Sequence, residues 1–313
     1  MHLASRLGAP LLALAVLALA APAGAQDMNI ALSRLSLPGS CEAGPCAQDD
    51  EAYRFVMSEF AGAMIPPVVT PAGTRGVRGI YVGFETWFTG IESSEGAWHR
   101  AVEGDGGSTD TTRSTFVDNV IAWGRLNVRK GLPFGFELGT NISYMANSGY
   151  WALGAEVRWA LFEGFRDGVG WIPDLAVRAA VQTLVGDGEL NVTVPSVELI
   201  LSEPFVVANT VELTPWVVGQ VAFPFVDSEL VDLTPETSGF TDSDDLNNSV
   251  VFPSLRSTRW RMGAGLQIRY EWFTLLGNFM FDLVKPGDAY ADDSLPDRLN
   301  RQWQADVAVG LTL

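Results

Sequence analysis

Apolar and polar residues alternate along most of this chain, from about residue 77 onward. In the stretch WALGAEVRWAL, Trp151, Leu153 and Val157 share one face of an extended strand. Glu156 and Arg158 share the other face, since successive side chains of a strand point to opposite sides. Ten segments have this period, and Gly, Pro or short polar runs separate them. They span residues 77–90, 114–129, 134–146, 149–162, 173–185, 191–202, 210–223, 256–270, 273–284 and 301–313.

The connections between these segments favour one of two interpretations. Alternation suits a soluble sheet with one wet face, and it equally suits a membrane barrel whose apolar face contacts lipid. The long connections are the first, seventh and ninth (91–113, 224–255 and 285–300), whereas the even-numbered ones are short or moderate. All long connections therefore lie at one end, which is typical of outer-membrane barrels with short periplasmic turns. An even number of strands is also expected to return both termini to the periplasmic end.

Aromatic residues near both ends of the predicted strands favour the membrane barrel as well. An amphipathic ring suits the half-wet boundary of a bilayer, so two aromatic belts are expected. Near the short turns lie Phe162, Phe165, Trp171, Phe205, Tyr270, Trp272 and Phe273. Near the long connections lie Trp87, Phe88, Tyr144, Trp151, Phe223, Phe225, Trp260, Phe281 and Trp303.

The polar faces of the strands are expected to line the lumen of such a barrel. The predicted lumen cations are Arg125, Arg129, Arg158, Arg178, Arg259, Arg261 and Arg269. The predicted lumen anions are Glu85, Glu137, Glu156, Glu198, Glu212, Asp282 and Asp306. Seven charges of each sign indicate ion pairs, and across the KGLP turn we expect Arg125 and Arg129 to reach Glu137. Ten strands enclose a narrow space, since about eight leave an interior that side chains fill.

The first 76 residues lack the alternation and form two parts. Residues 1–25 have a basic start, a short apolar run and the tripeptide Ala-Gly-Ala, which is typical of a cleaved secretory signal peptide. Residues 26–76 form an extension before the barrel domain, 77–313. In this extension residues 49–64 predict one amphipathic helix, which prolines follow. The extension is compatible with a lumen plug, a periplasmic cap, a partner-binding helix or a helix packed on the barrel rim.

Composition excludes one class of partner and limits the metal chemistry. Hydrophobic residues make up 47% of the chain, charged residues 18%, and the net charge is −17. Phosphate contacts need Lys and Arg, so we exclude nucleic-acid binding. Cys41 and Cys46, in SCEAGPC, predict a small disulfide loop in an oxidising compartment. Without a nearby His or third Cys, they offer too few ligands for a metal site.

On these patterns, residues 77–313 resemble a bacterial outer-membrane β-barrel protein. The resemblance implies an all-β fold: a closed antiparallel transmembrane barrel of about ten strands, twelve being possible, with a short N-terminal extension. It also implies outer-membrane lipid as the surroundings and the outer-membrane assembly machinery as a partner of the last strand. In that strand Trp303, Val307 and Val309 alternate as the family requires. The final residue is Leu313, where the family usually has an aromatic residue.

The sequence offers little for catalysis, and no cofactor is expected. His99 is the one histidine after the signal peptide, with Asp105, Ser108 and Asp110 nearby in the first long connection. A barrel enzyme can use such residues at its outer rim, but a lone histidine in a loop is usually a surface residue.

The seventh connection is rich in acids and carries no Lys or Arg. Asp242, Asp244, Asp245 and Asn247 offer oxygen ligands to calcium, although the spacing of a full calcium loop is missing. A solvated acidic loop has the same composition.

These observations favour a non-enzymatic outer-membrane barrel, either a narrow or gated channel or a structural surface protein. The alternative is a carrier for a small hydrophobic molecule, gated by the N-terminal extension. An enzyme at the outer rim comes third.

Overall fold

The computed structural model describes residues 28–42, 46–102, 117–162, 173–207, 210–235, 248–286 and 299–313. Ten antiparallel strands form one closed barrel, which confirms the predicted fold class. They are β1 (Ile80–Gly90), β2 (Val120–Gly131), β3 (Phe136–Met145), β4 (Trp151–Phe162), β5 (Asp174–Val185), β6 (Leu190–Ser202), β7 (Val211–Ala222), β8 (Arg259–Tyr270), β9 (Phe273–Asp282) and β10 (Trp303–Thr312). Each strand pairs with the next, and β10 pairs with β1 to close the ring.

Each predicted segment corresponds to one strand, and the differences lie at the segment ends. β1 begins at Ile80 rather than at residue 77, because the chain turns there and the Gly79 amide donates to the Gly76 carbonyl at 3.1 Å. A single turn of 3-10 helix, Pro133–Gly135, separates β2 from β3. Within it Phe134 takes a left-handed backbone conformation, with φ of 63°, which lets the chain reverse in few residues.

Burial alternates along every strand, and the apolar side faces outward. In β4 the outward Leu153 and Trp159 are 47% and 45% exposed, whereas the inward Glu156 and Arg158 are buried. A soluble barrel places its apolar side chains inside, since water disfavours a continuous apolar surface. The outer surface of this barrel therefore suits an apolar medium.

Aromatic residues of the outer face lie near both ends of the barrel. At the short-turn end, the rings of Phe136 and Trp159 stack with centroids 5.4 Å apart. At the long-loop end, the ring centroids of Tyr144 and Trp151 are 4.9 Å apart.

One member of the predicted belts, Trp87, is placed wrongly. It is completely buried in the lumen, where it stacks on Trp123 at 5.7 Å. The odd-numbered residues of β1 face inward. Trp87 therefore points into the lumen, although it lies near the end of the strand where a belt residue was expected. Phe165 and Trp171 lie outside the described residues.

Helix α1 (Asp50–Ala63) confirms the helix predicted in the extension, and it fills the long-loop mouth of the barrel. The Asp49 side chain caps its first turn by accepting a hydrogen bond from the Ala52 amide at 3.0 Å. Prolines at positions 66 and 67 prevent its continuation. Its apolar residues are fully buried: Tyr53, Phe55, Val56, Met57 and Phe60.

The long connections fold over this mouth. The first contains helix α2 (Gly96–Ala101), which packs against α1. The seventh is not simply a loop: Phe225–Ser228 pairs with the start of β6 and with Leu255–Arg256, and Val231–Asp232 pairs with Ser249–Val250. At the other end, Phe205–Val207 pairs with β7. Among the described residues no helix has the length and apolar character needed to cross a membrane.

Candidate functional site

Residues 64–76, here called the lumen segment, run through the inside of the barrel from the long-loop end to the short-turn end. Near the long-loop mouth, Trp87 Nε1 donates to the Ala63 carbonyl at 2.9 Å, where the segment begins. At the opposite end, Arg75 contacts Glu137 at 3.4 Å, and the amide of Gly131 donates to the carbonyl of Gly79. The chain then reverses into β1.

This path corrects one expectation from the sequence. Strand parity predicted both termini at the short-turn end. The first described residue, Met28, instead lies at the long-loop end, where its amide donates to the Asn147 carbonyl at 2.9 Å. The extension crosses the lumen once before β1 begins. Met28 therefore lies at the end of the barrel opposite to the one expected.

Inward side chains of the barrel hold the lumen segment through its backbone. Three donate to its proline carbonyls: Gln220 to Pro66 at 3.0 Å, Arg125 to Pro67 at 3.4 Å and Arg158 to Pro71 at 2.6 Å. In return the amide of Ala72 donates to Ser202 Oγ at 3.0 Å. The segment has no regular structure, so its buried carbonyls need donors from elsewhere. Polar lumen side chains provide them.

A chain of buried ion pairs lines the lumen wall formed by β1 to β6. Glu85 accepts from Arg125 and Arg129, and Arg129 also lies 3.4 Å from Glu156. Glu156 also forms an ion pair with Arg178. Arg178 then lies 3.2 Å from Glu198. Cross-strand register explains two of these contacts, since Glu85 faces Arg125 and Arg178 faces Glu198 directly.

The predicted contact of Glu137 with Arg125 and Arg129 is wrong. Glu137 instead binds Arg158 at 2.9 Å and Arg75 at 3.4 Å. In the register of β3 and β4, Glu137 lies directly opposite Arg158. Its β2 neighbour is Gly131, which carries no side chain.

A second group of predicted lumen charges lies at the long-loop end, on β8 to β10. Asp282 accepts from Arg259 at 2.7 Å and lies 3.3 Å from Arg261. Asp306 instead accepts from the amides of Gln304 and Asn278 at 2.7 and 2.9 Å. Arg259 also donates to the Ser58 carbonyl of α1 at 2.8 Å, which ties the helix to the wall.

The last predicted pair, Arg269 and Glu212, lies apart from the others near the short-turn end. Their side chains meet at 2.6 Å and are 39% and 18% exposed. This pair is therefore half in water, whereas the other twelve predicted lumen charges are buried.

A cluster of inward apolar residues, here called the apolar wall, also lines the lumen. Val68, Val69 and Ala72 of the lumen segment pack there against inward residues of β1, β5 to β7, β9 and β10. These partners are Tyr81, Ala176, Ile200, Trp216, Val218, Leu276, Met280 and Ala308. The segment thus contacts both charged and apolar side chains of the lumen.

Glu59 of α1 joins the helix to the first long connection. Its buried carboxylate accepts from Trp98 Nε1 at 2.6 Å and from the Glu92 amide at 3.1 Å. Burial raises the pKa of this carboxyl above its ordinary value, and the Trp98 and Glu92 hydrogen bonds oppose the rise only in part. Gly62, about one helical turn after Glu59, lets α1 pack closely against Gln302, because a Cβ at this position would lie 2.0 Å from Gln302 Oε1.

The predicted disulfide is present, and it joins Cys41 and Cys46 beside the long-loop mouth. The Cys46 amide donates to Asn248 Oδ1 at 2.8 Å, so this loop contacts the seventh connection.

The candidate catalytic and calcium residues fall mostly outside the described part of the chain. His99 lies on α2 at the long-loop end and is half-buried. Its sequence neighbours Asp105, Ser108 and Asp110 are among the residues not described. The same holds for Asp242, Asp244, Asp245 and Asn247. Within the described ranges, His, Cys, Asp and Glu form no cluster that would hold a metal ion.

Sequence reasoning missed Arg75, Ser58, Glu59 and Gln302, all of which join the extension to the barrel or its loops. Arg75, Ser58 and Glu59 belong to no alternating strand pattern, whereas Gln302 lies in the segment 301–313 and shares the inward face with Asp306. For the lumen segment the prolines were the available signal, because they exclude a helix or a paired strand there.

Comparisons with known proteins find solved structures of low similarity. No protein-family model matches the chain, and a search of curated proteins finds no match. The N-terminal β-barrel domain of Pseudomonas aeruginosa OprF is 12% identical, covering 74% of this chain and 97% of that one, with a TM-score of 0.28. The outer membrane protein OprG of the same species is 9% identical, covering 78% and 99%, with a TM-score of 0.29.

The translocator domain of the autotransporter NalP from Neisseria meningitidis is also similar. It is 11% identical, covering 84% of this chain and 95% of that one, with a TM-score of 0.32. Likeness at this level assigns no function. The fold rests on the strand pairing described above.

Proposed function

We propose that this protein is an integral β-barrel of the outer membrane of a Gram-negative bacterium, exported by a cleaved signal peptide. The apolar outer face of the barrel supports this, because a charged residue there would cost about 2–4 kcal/mol at the bilayer centre. The long-loop end then faces the cell exterior and the short-turn end faces the periplasm. Outer-membrane lipid surrounds the strands, and the assembly machinery recognises β10.

The proposed activity is that of a gated channel, without enzymatic chemistry, that its own N-terminal segment closes at rest. The observation that carries this proposal is the set of lumen side chains bonded to the backbone of residues 66–72. These side chains fix the segment across the space that the ten strands enclose, where a solute would pass.

Displacement of the segment would leave the barrel wall intact. The lumen segment contributes no strand to the sheet, and prolines 66, 67 and 71 carry no amide hydrogen for strand pairing. Opening therefore breaks side-chain contacts but no ladder hydrogen bonds. A structural surface protein with a permanently closed lumen would share the same geometry, so experiment must separate the two.

The apolar wall favours a second candidate, a carrier for a small hydrophobic molecule. If Val68 and Val69 withdrew, they would expose an apolar surface that includes Ile200, Trp216 and Met280. Mass spectrometry of the purified protein tests this candidate, since a carrier should retain lipid or hydrocarbon and a polar channel should not.

The test of the channel is to cut the segment free after folding. A protease site inserted after Val77, which is 56% exposed, lets the whole barrel fold before residues 28–77 are released and washed out. A matched site after Val251, also 56% exposed, lies in the seventh connection and leaves the segment attached. Planar-bilayer conductance is measured before and after each cut.

We expect low conductance for the uncut protein, a large increase after the cut at Val77 and none after the cut at Val251. High conductance before cutting would contradict closure by the segment. Release of the segment without any rise in conductance would favour the structural role.

A further inference from the structure

A cavity of about 290 Å³ opens at the short-turn end of the lumen, beside the end of the lumen segment. One side of its described wall is residues 71–75, and the other is formed by inward side chains of β5 to β8 and β10. Its volume lies at the lower limit of ligand pockets, which run from about 300 to 1,000 Å³. That volume suits a molecule the size of a free amino acid.

The described wall carries equal charge of both signs. Arg75 and Arg269 contribute two cations, and Asp174 and Glu212 contribute two carboxylates. An anionic ligand would lie close to both carboxylates, and a cationic ligand would lie close to both guanidinium groups. A zwitterion can place each of its charges beside the opposite one.

Two side chains of β8 offer hydrogen bonds to such a ligand. Arg269 uses Nη2 to bind Glu212 at 2.6 Å and is 39% exposed, so its other donors are available for a bidentate bond to a carboxylate. Gln267 is only 5% exposed and lines the cavity, so its amide lies within reach of a ligand there. The amide offers both a donor and an acceptor to a polar solute in the cavity.

We propose that this cavity binds a small zwitterionic solute of the free amino acid class. The carboxylate lies on Arg269, the ammonium lies towards Asp174 and Glu212, and the Gln267 amide bonds the polar part. This site is distinct from the closure of the lumen, although residues 71–75 contribute to its wall.

The test is isothermal titration calorimetry on the purified full-length protein in detergent. The probes are glycine, L-serine and L-glutamine. Two analogues of serine serve as controls: L-lactate lacks the ammonium and ethanolamine lacks the carboxylate. We expect saturable binding of at least one amino acid and none of either analogue.

Variants then locate the site. Arg269→Ala and Gln267→Leu should each weaken binding at least about tenfold, or about 1.4 kcal/mol. Arg256→Ala is the matched control, since Arg256 forms an exposed pair with Asp227 at the opposite end of the barrel, and it should bind normally. Gln267→Leu removes the amide without changing any charge.

Three results would overturn the proposal. They are the absence of saturable binding of all three amino acids, equal binding of lactate or ethanolamine, and equal affinity of the Arg269→Ala and Arg256→Ala proteins. None of these results depends on whether the lumen opens, so they leave the channel proposal to its own test.

Discussion

Glu85 should be the acid whose loss destabilises the barrel most clearly. It is completely buried and binds Arg125, Arg129 and Asn127. In Glu85→Gln one carboxylate oxygen becomes an amino group, which cannot accept from a guanidinium. Arg129 keeps Glu156 at 3.4 Å, but the carboxylate partner of Arg125 is lost.

The size of the effect follows from this geometry. Breaking a buried ion pair costs roughly 3–5 kcal/mol, because the remaining charge stays buried. Since Arg129 retains a second carboxylate, we expect the lower limit, about 3 kcal/mol. The matched control is Glu212→Gln, the same substitution in the half-exposed pair with Arg269, which should cost only about 0–1 kcal/mol.

Equilibrium unfolding in guanidinium chloride, followed by tryptophan fluorescence in detergent, measures both variants. For Glu85→Gln the midpoint should fall by on the order of 0.5–1 M, whereas Glu212→Gln should match the unmodified protein. Equal midpoints for the two variants would refute the inference that burial sets the strength of these lumen pairs.

Three further outcomes are expected. Arg129→Ala should destabilise the barrel or raise its planar-bilayer conductance, whereas Leu126→Val on the outer face should do neither. High conductance in the unmodified protein, with no response to Arg129→Ala, would indicate an open pore. An epitope tag placed immediately before Met28 should bind antibody on intact cells, and access from the periplasm alone would reverse the topology. The raised pKa of Glu59 means that its contribution to stability is complete at pH below its ordinary value of 4.5 and is lost as pH rises through the raised pKa. Hydrogen exchange of helix α1 should therefore accelerate with pH beyond its intrinsic rate, and in Glu59→Gln this excess should disappear.

The sequence predicts the strands well because each one separates an apolar outer face from a polar lumen. This requirement repeats every second residue, so it is visible in any single strand. Segment 149–162, for example, differs from β4 only by two residues at its start. Helix α1 is equally visible, because its apolar residues recur at helical spacing before the prolines.

The partners inside the lumen could not be predicted in the same way. Ion pairs depend on strand register, which placed Glu137 opposite Arg158 instead of near Arg129. The lumen segment has no period, so nothing in it indicated which space it would occupy. Trp87 differs, since parity with the lumen residue Glu85 on the same strand already indicates an inward position.

The threaded chain limits the order in which the protein can be built. An α-helix with its side chains is about 10–12 Å wide, and a ten-stranded ring is only slightly wider than one whose interior side chains fill. Helix α1 could not pass through the finished ring without unfolding and displacing the buried arginines. We therefore expect the ends of the sheet, β1 and β10, to join around a segment that is already in place, with α1 at the long-loop end. On this expectation, the N-terminal residues take part in assembly of the barrel, because the ring closes with the lumen segment already inside it.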